Sequence, residues 1–311
     1  MEATPAAFRE RDTPRIPRTF HFIHVGGRPF SFIHFLAVLM ASKVNAPERI
    51  YFHHTEEPDG IWWERARPLL TLHPVEPVHE IYGNPIRFRA HMADVIRLDM
   101  LVRYGGVYLD TDVICVNPLQ PLMGHPCVMG MEPGAGLCNG VILAEPGCEF
   151  LRLWQAEYRD FDTERWQYHS VVLPWKLARE HPALIHVVDQ YAFFYPTHGD
   201  PSHRYLWGRR PGTTEVAIRL GKNVARLTQM LLRRDEDAMK RAYYTTFHAL
   251  RGADWHYERL VRSYCVHLWE GLWGGRYLKA VTPGFLRVDN GHFARLMRTR
   301  LSEQELGQLA S

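Results

Sequence analysis

The chain has 311 residues, 46% hydrophobic and 23% charged, which suits a sizeable folded core and excludes a largely disordered protein. Lys and Arg number 37 against 34 Asp and Glu, a net charge of +3. So small and scattered an excess excludes a charge-driven nucleic acid partner. Nine Trp, 14 Tyr and 15 Phe are many. Sugar clefts use aromatics, but a core accounts for most of them. The five cysteines, at 115, 127, 138, 148 and 265, are odd in number and lack CxxC spacing. This argues against a structural zinc or a disulfide scaffold and for a reducing compartment. The charged N-terminus is followed by no apolar run of signal-peptide length, and the apolar run 30–41 is too short to span a bilayer. A cytoplasmic setting is the expectation, with peripheral membrane contact left open.

In chain order, residues 1–17 read as a flexible arm rich in Pro and charge. Residues 19–25 (TFHFIHV) read as a first buried strand closed by Gly26-Gly27, residues 30–43 as a helix, and residues 48–53 as a second strand. Strand, glycine turn, helix, strand is how a parallel sheet begins. Residues 61–70 suggest a helix ending near Pro68, and 70–75 a third strand. Residues 89–104 read as a helix stopped by Gly105-Gly106, followed by a short strand at 107–109. Strands are expected at 127–130 and 140–143, helices at 147–160 and 170–180, and strand character at 184–195. Residues 215–260 are expected to be a helical insertion, 264–268 a short strand, 271–275 a Gly-rich loop, and 290–308 a C-terminal helix. The fold class is α/β, a mostly parallel central sheet with flanking helices and a helical accessory region. One domain would span 18–289, with 290–311 as its C-terminal helix.

The stretch 104–112, Tyr-Gly-Gly-Val-Tyr-Leu-Asp-Thr-Asp, carries the chemistry. A short apolar strand ends in two carboxylates spaced i, i+2. In open α/β sheets, ligands lie beyond the carboxyl ends of strands. Carboxylates there suit a divalent cation held against a sugar diphosphate, whose leaving group needs its developing charge neutralised. Strand alternation would send Asp110 and Asp112 to one side and Thr111 to the other. Asp94 and Arg97 are spaced i, i+3, so they share a face of the preceding helix, close to Leu98 and Leu101. Buried charges need partners there, whether each other or a ligand's hydroxyls and phosphates. His91 reads as structural. His267, between Val266 and Leu268, reads equally as a core histidine or a ligand, and His53-His54 does not suggest a metal site.

These residues resemble the DXD-motif sugar-nucleotide glycosyltransferases of the GT-A fold. The resemblance is to the Och1-like and α1,4-galactosyltransferase-like families and to the glucosyltransferase domains of large clostridial toxins. Its stretches are IPRTFHFIHVGG (16–27), APERIYFHH (46–54), FRAHMADVIRLDMLVRYGGVYLDTDVICVNPL (88–119), LCNGVILAEPG (137–147), FFYP (193–196) and VHLWEG (266–271). The resemblance implies that Asp112 is the main metal ligand, with Asp110 touching donor sugar or ribose and the metal. It implies that Asp94, Arg97 and Asn139 hold the donor sugar, that Tyr108 orients the donor, that His267 is a late metal ligand, and that Trp269 packs near the leaving diphosphate. Val25 and Gly26 correspond to the strand and turn where the nucleotide lies. One departure is His24, where relatives usually have Trp.

The implied cofactor is Mn²⁺ or Mg²⁺, with a nucleotide sugar as co-substrate. The implied reaction is transfer from a UDP-hexose to a glycan, lipid-linked or protein hydroxyl with retention of α configuration. A covalent intermediate on a carboxylate remains an alternative, with Glu132 and Glu145 candidates by neighbourhood alone. Alternative roles are an effector-like protein glycosyltransferase and a GDP-mannose-using mannosyltransferase. More distant are a metal-dependent phosphoryl or nucleotidyl transferase and a non-enzymatic carbohydrate-binding protein. Loops 54–68, 157–175 and 198–214 are where acceptor contacts are expected.

Overall fold

In the computed structural model, the described residues are 14–132, 134–197, 206, 207, 217, 221 and 251–310. The order begins β1 (Thr19–His24), α1 (Phe32–Asn45), β2 (Arg49–His54), α2 (Ile61–Ala66) and β3 (Thr71–Pro74). A small hairpin, β4 (Glu80–Ile81) and β5 (Asn84–Pro85), leads into α3 (Arg89–Tyr104). Then come β6 (Gly106–Leu109), β7 (Val113–Cys115), β8 (Cys127–Glu132), β9 (Gly136–Ala144), α4 (Glu149–Ala156) and α5 (Leu173–Glu180). The rest is β10 (His186–Val188), α6 (Gln190–Phe193), α7 (Ala253–Arg262), β11 (Cys265–His267), α8 (Glu270–Trp273), α9 (Pro283–Val288), α10 (His292–Arg300) and α11 (Glu303–Ala310).

Seven strands form one sheet in the order β10-β8-β9-β6-β1-β2-β3. The pairs β1/β2, β2/β3, β1/β6 and β8/β10 are parallel, whereas β9 runs antiparallel to both β6 and β8. This is the mostly parallel sheet with flanking helices that the sequence leads one to expect. Parallel strands covered on both faces need apolar residues on both, and β1 is buried from Phe20 onward. Phe20 and Phe22 join the core under α1, whereas Ile23 and Val25 join the core under α3. β7 leaves the main sheet and pairs antiparallel with β11, joining the segment after the carboxylate pair to the C-terminal region. Among the described residues, no helix is long and apolar enough to cross a membrane.

Several boundaries differ from expectation. Of the presumed flexible arm, Arg15 and Ile16 are anchored: Ile16 is fully buried, both backbone N–H groups donate to the Met123 carbonyl, and the Arg15 guanidinium pairs with Glu145 at 2.6 Å. Residues 184–195 hold a strand only at His186–Val188, because Asp189 caps α6 by accepting from the Tyr191 N–H. The loop expected at 271–275 begins inside α8, and the expected C-terminal helix is two, α10 and α11, with Ser302 capping the second through Glu305. Of the helical insertion, α7 is present, whereas 222–250 lie outside the described residues.

A row of buried histidines crosses the parallel strands. His21 contacts the Gly105 carbonyl at 2.9 Å and His53 at 3.0 Å, and His53 contacts His73 at 3.1 Å. Donation from His21 Nε2–H to Gly105 leaves His21 Nδ1 an acceptor, so His53 Nε2–H donates and His53 Nδ1 accepts from His73. Burial pushes His21 down to about 4 and His53 to about 3, keeping both neutral. The row ties the Gly105-Gly106 turn, which launches β6 toward the carboxylates, to three neighbouring strands. Gly106 has no room for a Cβ, which would meet the Thr19 carbonyl at 2.3 Å, and its φ is +103°.

Candidate active site

The carboxyl ends of β1 and β6 open into a cleft of about 580 Å³. Val25, Asp94, Arg97, Tyr108, Asp110, Asp112, Asn139, His267 and Trp269, all singled out from sequence, line it. Gly26 does not. It stands behind the wall, where its bare α-carbon (φ +71°) admits the Arg89 guanidinium; a Cβ would lie 2.6 Å from Arg89 Nε. His24 points to the opposite face, stacked on Phe52 with its Nε2 3.0 Å from the Arg28 carbonyl. The departure from the Trp of relatives therefore concerns packing beneath the cleft rather than its lining.

α3 delivers Asp94 and Arg97 on its buried face. Arg97 reaches Asp94 at 3.1 Å, Asp110 at 3.3 Å and the Asn139 carbonyl at 2.7 Å, with its guanidinium 4.4 Å from the centre of the Tyr108 ring. Asn139 Nδ2 donates to Asp94 at 2.7 Å, closing a loop between α3 and β9. Burial raises the Asp94 carboxyl above its ordinary value, against the opposing pull of Arg97 and Asn139. Tyr108 donates its hydroxyl to Asp110 at 2.5 Å, and burial pushes that phenol well up, so it stays a donor. Asp110 is thus held from two sides before any ligand arrives.

Thr111 also lines the cleft, contrary to strand alternation. The chain turns at this point, with the Val113 N–H donating to the Asp110 carbonyl at 3.0 Å, so the period of two ends at Leu109. The same turn aims Asp112 at His267, whose Nε2 lies 3.3 Å away and 4.0 Å from Asp110. The β7/β11 ladder sets this meeting by pairing Val113 with His267. The Glu270 N–H donates to the Asp112 carboxylate at 2.6 Å. Burial disfavours the Asp112 charge, but the charge and hydrogen bond of His267 and the Glu270 N–H together hold the carboxyl at about 2. Burial likewise disfavours the His267 cation, but Asp112 wins and raises its pKa. Trp269 adopts φ +55°, a costly conformation for a bulky residue. In return its indole stacks on His267 at 4.1 Å and its Nε1 donates to the Pro196 carbonyl at 3.0 Å.

One donor atom each from Asp110, Asp112 and His267 falls within 4.8 Å of the others. Ligands 2.0–2.2 Å from one cation lie roughly 3–4.4 Å apart, and the His267 separations of 3.3 and 4.0 Å fall in that range. Two carboxylates and an imidazole suit Mn²⁺ better than Mg²⁺, which prefers oxygen and keeps its waters.

Sequence reading missed Arg28, Arg89, Trp166 and Glu270, all in the cleft wall. Arg28 follows the glycine pair and Arg89 opens α3, positions where a phosphate-binding basic residue could have been sought. Trp166 lies in the anticipated 157–175 loop, half-exposed and braced edge-on by Phe88. Of the other anticipated loops, 54–68 does not reach the cleft, and most of 198–214 lies outside the described residues. Glu132 lines the cleft, whereas Glu145 is engaged by Arg15. His91, read as structural, is buried between Phe161 and Trp166 with its Nε2 3.2 Å from the Trp166 carbonyl, and it also lines the cleft.

Gly140 offers a test of how tightly the cluster is set. A Cβ there would meet Asp110 Oδ2 at 2.9 Å and the His267 ring at 3.3 Å. Because Gly140 packs against both Asp110 and His267, Gly140→Ala should displace one of these candidate metal ligands. We expect Mn²⁺ affinity, read by calorimetry, to fall at least about tenfold with a Tm change of only a few degrees.

Comparison with known proteins covers the same stretch of chain. A family profile described as "Glycosyltransferase sugar-binding region containing DXD motif" matches residues 41–129, from within α1 through the carboxylate turn into β8. "Glucan organizing enzyme 1" of Cryptococcus neoformans var. grubii is 31% identical over 282 residues, covering 88% of this chain. The alignment spans 65% of that relative's length. "Inositol phosphoceramide mannosyltransferase 3" of Schizosaccharomyces pombe is 38% identical over 64 residues, 21% of this chain and 18% of its own. Among solved structures, "PaToxG Glycosyltransferase" is similar at 15% identity and TM-score 0.39, covering 80% of this chain and 89% of that one. Over residues 41–129 the chain therefore matches the DXD-motif sugar-binding region of glycosyltransferases, and along most of its length it is similar to a relative of which it spans 65%.

Proposed function

We propose that the protein transfers a sugar from a nucleotide-sugar donor to an acceptor hydroxyl, that the reaction depends on a divalent metal, and that it retains α configuration. The observation that carries this reading is the convergence of Asp110, Asp112 and His267 at the base of a cleft walled by Arg97, Asp94 and Asn139. Asp112 and His267, with Asp110, would hold the metal. When bound, it supplies positive charge that stabilises a departing diphosphate.

Every other role falls to the chain's own side chains. The Arg97–Asp94–Asn139 loop presents both donors and acceptors, a mixture suited to sugar hydroxyls, and its closed bonding fixes their directions. Arg28 and Arg89, beside Val25, suit the phosphates and the nucleoside end. Trp269 covers His267 and keeps water from the leaving-group side. In the retaining path, the anomeric bond to the diphosphate breaks and the acceptor oxygen bonds the same face. The acceptor's proton passes to a phosphate oxygen, so no dedicated protein base is required.

A UDP-hexose is the donor expected from the sequence, and the relative named as a mannosyltransferase adds GDP-mannose to the test. Donor hydrolysis should be followed by mass spectrometry with UDP-glucose, UDP-galactose, UDP-GlcNAc, UDP-GalNAc and GDP-mannose, each with Mn²⁺ and then with chelator. We expect chelator-sensitive release of one nucleoside diphosphate. A donor that binds and turns over equally well without metal would remove the metal-dependent reading.

A further inference from the structure

We propose that Cys115 and Cys265 form a cross-strand disulfide when the chain folds in the presence of a disulfide oxidant, latching the segment that follows Asp112 to the strand that carries His267. The two residues lie directly opposite each other in the β7/β11 ladder, 150 positions apart in sequence, with their sulfurs 3.9 Å apart. The hydrogen bonds around them define the kind of pair. The Val116 N–H donates to the Tyr264 carbonyl at 2.8 Å, and the Leu268 N–H donates to the Asp112 carbonyl at 3.0 Å. Bonds that flank a pair in this way make Cys115/Cys265 a non-hydrogen-bonded pair, the closer of the two antiparallel arrangements, with Cα atoms typically about 4.5 Å apart. That spacing is inside the range a disulfide spans, so side-chain rotation alone can bring the sulfurs to bonding distance.

The surroundings make the bond consequential. The ribbon is clamped at its far end by Asn117, whose Nδ2 donates to the Val261 and Ser263 carbonyls at 2.8 and 2.6 Å. At its near end lie the Asp112–His267 contact and the Glu270 N–H. The cysteine pair sits between, three residues after Asp112 and two before His267. Both thiols are fully buried. The folded pair is therefore shielded from exchange, and the bond forms while the ribbon is assembling. One thiolate attacks a small-molecule disulfide to give a mixed disulfide and a free thiol. The second thiolate then displaces the other small thiol. In sum, two cysteine thiols and one disulfide give one cystine and two small thiols. This is compatible with the reading that the cysteines form no disulfide scaffold: three cysteines remain thiols and one pair is built to close.

The test is refolding of the reduced, denatured chain in an oxidising glutathione buffer, then alkylation, digestion and mass spectrometry. One linked pair of peptides holding Cys115 and Cys265 is expected, with Cys127, Cys138 and Cys148 alkylated. The bridged protein should melt about 5–10 °C above the reduced form. A Cys127→Ala/Cys148→Ala variant should keep that gain, and a Cys115→Ala/Cys265→Ala variant should lose it. The same peptide map on protein secreted into an oxidising periplasm covers poor refolding. Alkylated Cys115 and Cys265 in both preparations, or a bridge to any other cysteine, would overturn the proposal.

Discussion

Arg97→Ala is expected to unfold much of the protein, whereas Arg97→Met should leave a folded but inactive one. Arg97 is 4% exposed and is shared by Asp94, Asp110 and the Asn139 carbonyl. Truncation removes the partner of a buried carboxylate and leaves a hole. Losing one member of a buried ion pair costs about 3–5 kcal/mol, or about 10 °C in Tm for a chain of this size. Methionine refills most of the volume, and Asp94 can neutralise itself, since burial already raises its pKa. Asn139 still satisfies one of the Asp94 oxygens. Methionine supplies no donor to a sugar or to Asp110, so donor turnover should fall at least about a hundredfold. Thermal melts and turnover, measured on both variants, separate the two roles. Equal stability of the Ala and Met variants would show that the volume of the Arg97 side chain does not support the core.

The part of this site on one stretch of chain was legible from sequence, because α3, the glycine turn and β6 are local. The alternation of apolar residues with glycine punctuation fixes where Asp94, Arg97, Tyr108 and Asp110 fall on their elements. A turn at the strand end was expected from sequence, but not that it would bring Thr111 into the cleft. Strand periodicity assigned Thr111 to the far side, while one backbone bond from Val113 to Asp110 brings it into the cleft. His267 could not be separated locally from a core histidine. It is buried in the manner of one, and its role comes from a ladder pairing 154 residues away in sequence with Val113. Arg89 was missed for a related reason. Its place in the wall depends on a bare α-carbon at Gly26, on another element. The division of the last helix at Leu301–Ser302 was hidden because Ser302 and Glu305 look like helix surface until their capping bonds are seen.

Asp112→Asn should abolish metal binding while leaving the fold intact, and the wild-type affinity should climb with pH. Asparagine keeps an oxygen to accept the Glu270 N–H now made at 2.6 Å, so the local turn loses little. It removes a charge that a cation bound there would need. Mn²⁺ affinity should drop at least about a hundredfold, with donor turnover lost in step. The pH dependence follows from the metal-free pair. His267 has a raised pKa, so its contribution to stability is complete below the unfolded histidine value and is lost as pH rises through the folded one. Asp112, held at about 2, contributes above the unfolded carboxylate value and loses this as pH falls through about 2. The His267–Asp112 ion pair therefore stabilises the metal-free protein most between about pH 4 and 6.5. A metal held by His267 would take the place of its proton. Below the raised pKa of His267, affinity should increase about tenfold per pH unit, and above it the curve should flatten. Calorimetry in buffers of different ionisation enthalpy would count the proton released. In the Asp112→Asn protein His267 loses the carboxylate that raised its pKa, so its titration, followed by NMR, should move to lower pH. A wild-type affinity independent of pH, with no proton released, would place the metal elsewhere than on His267.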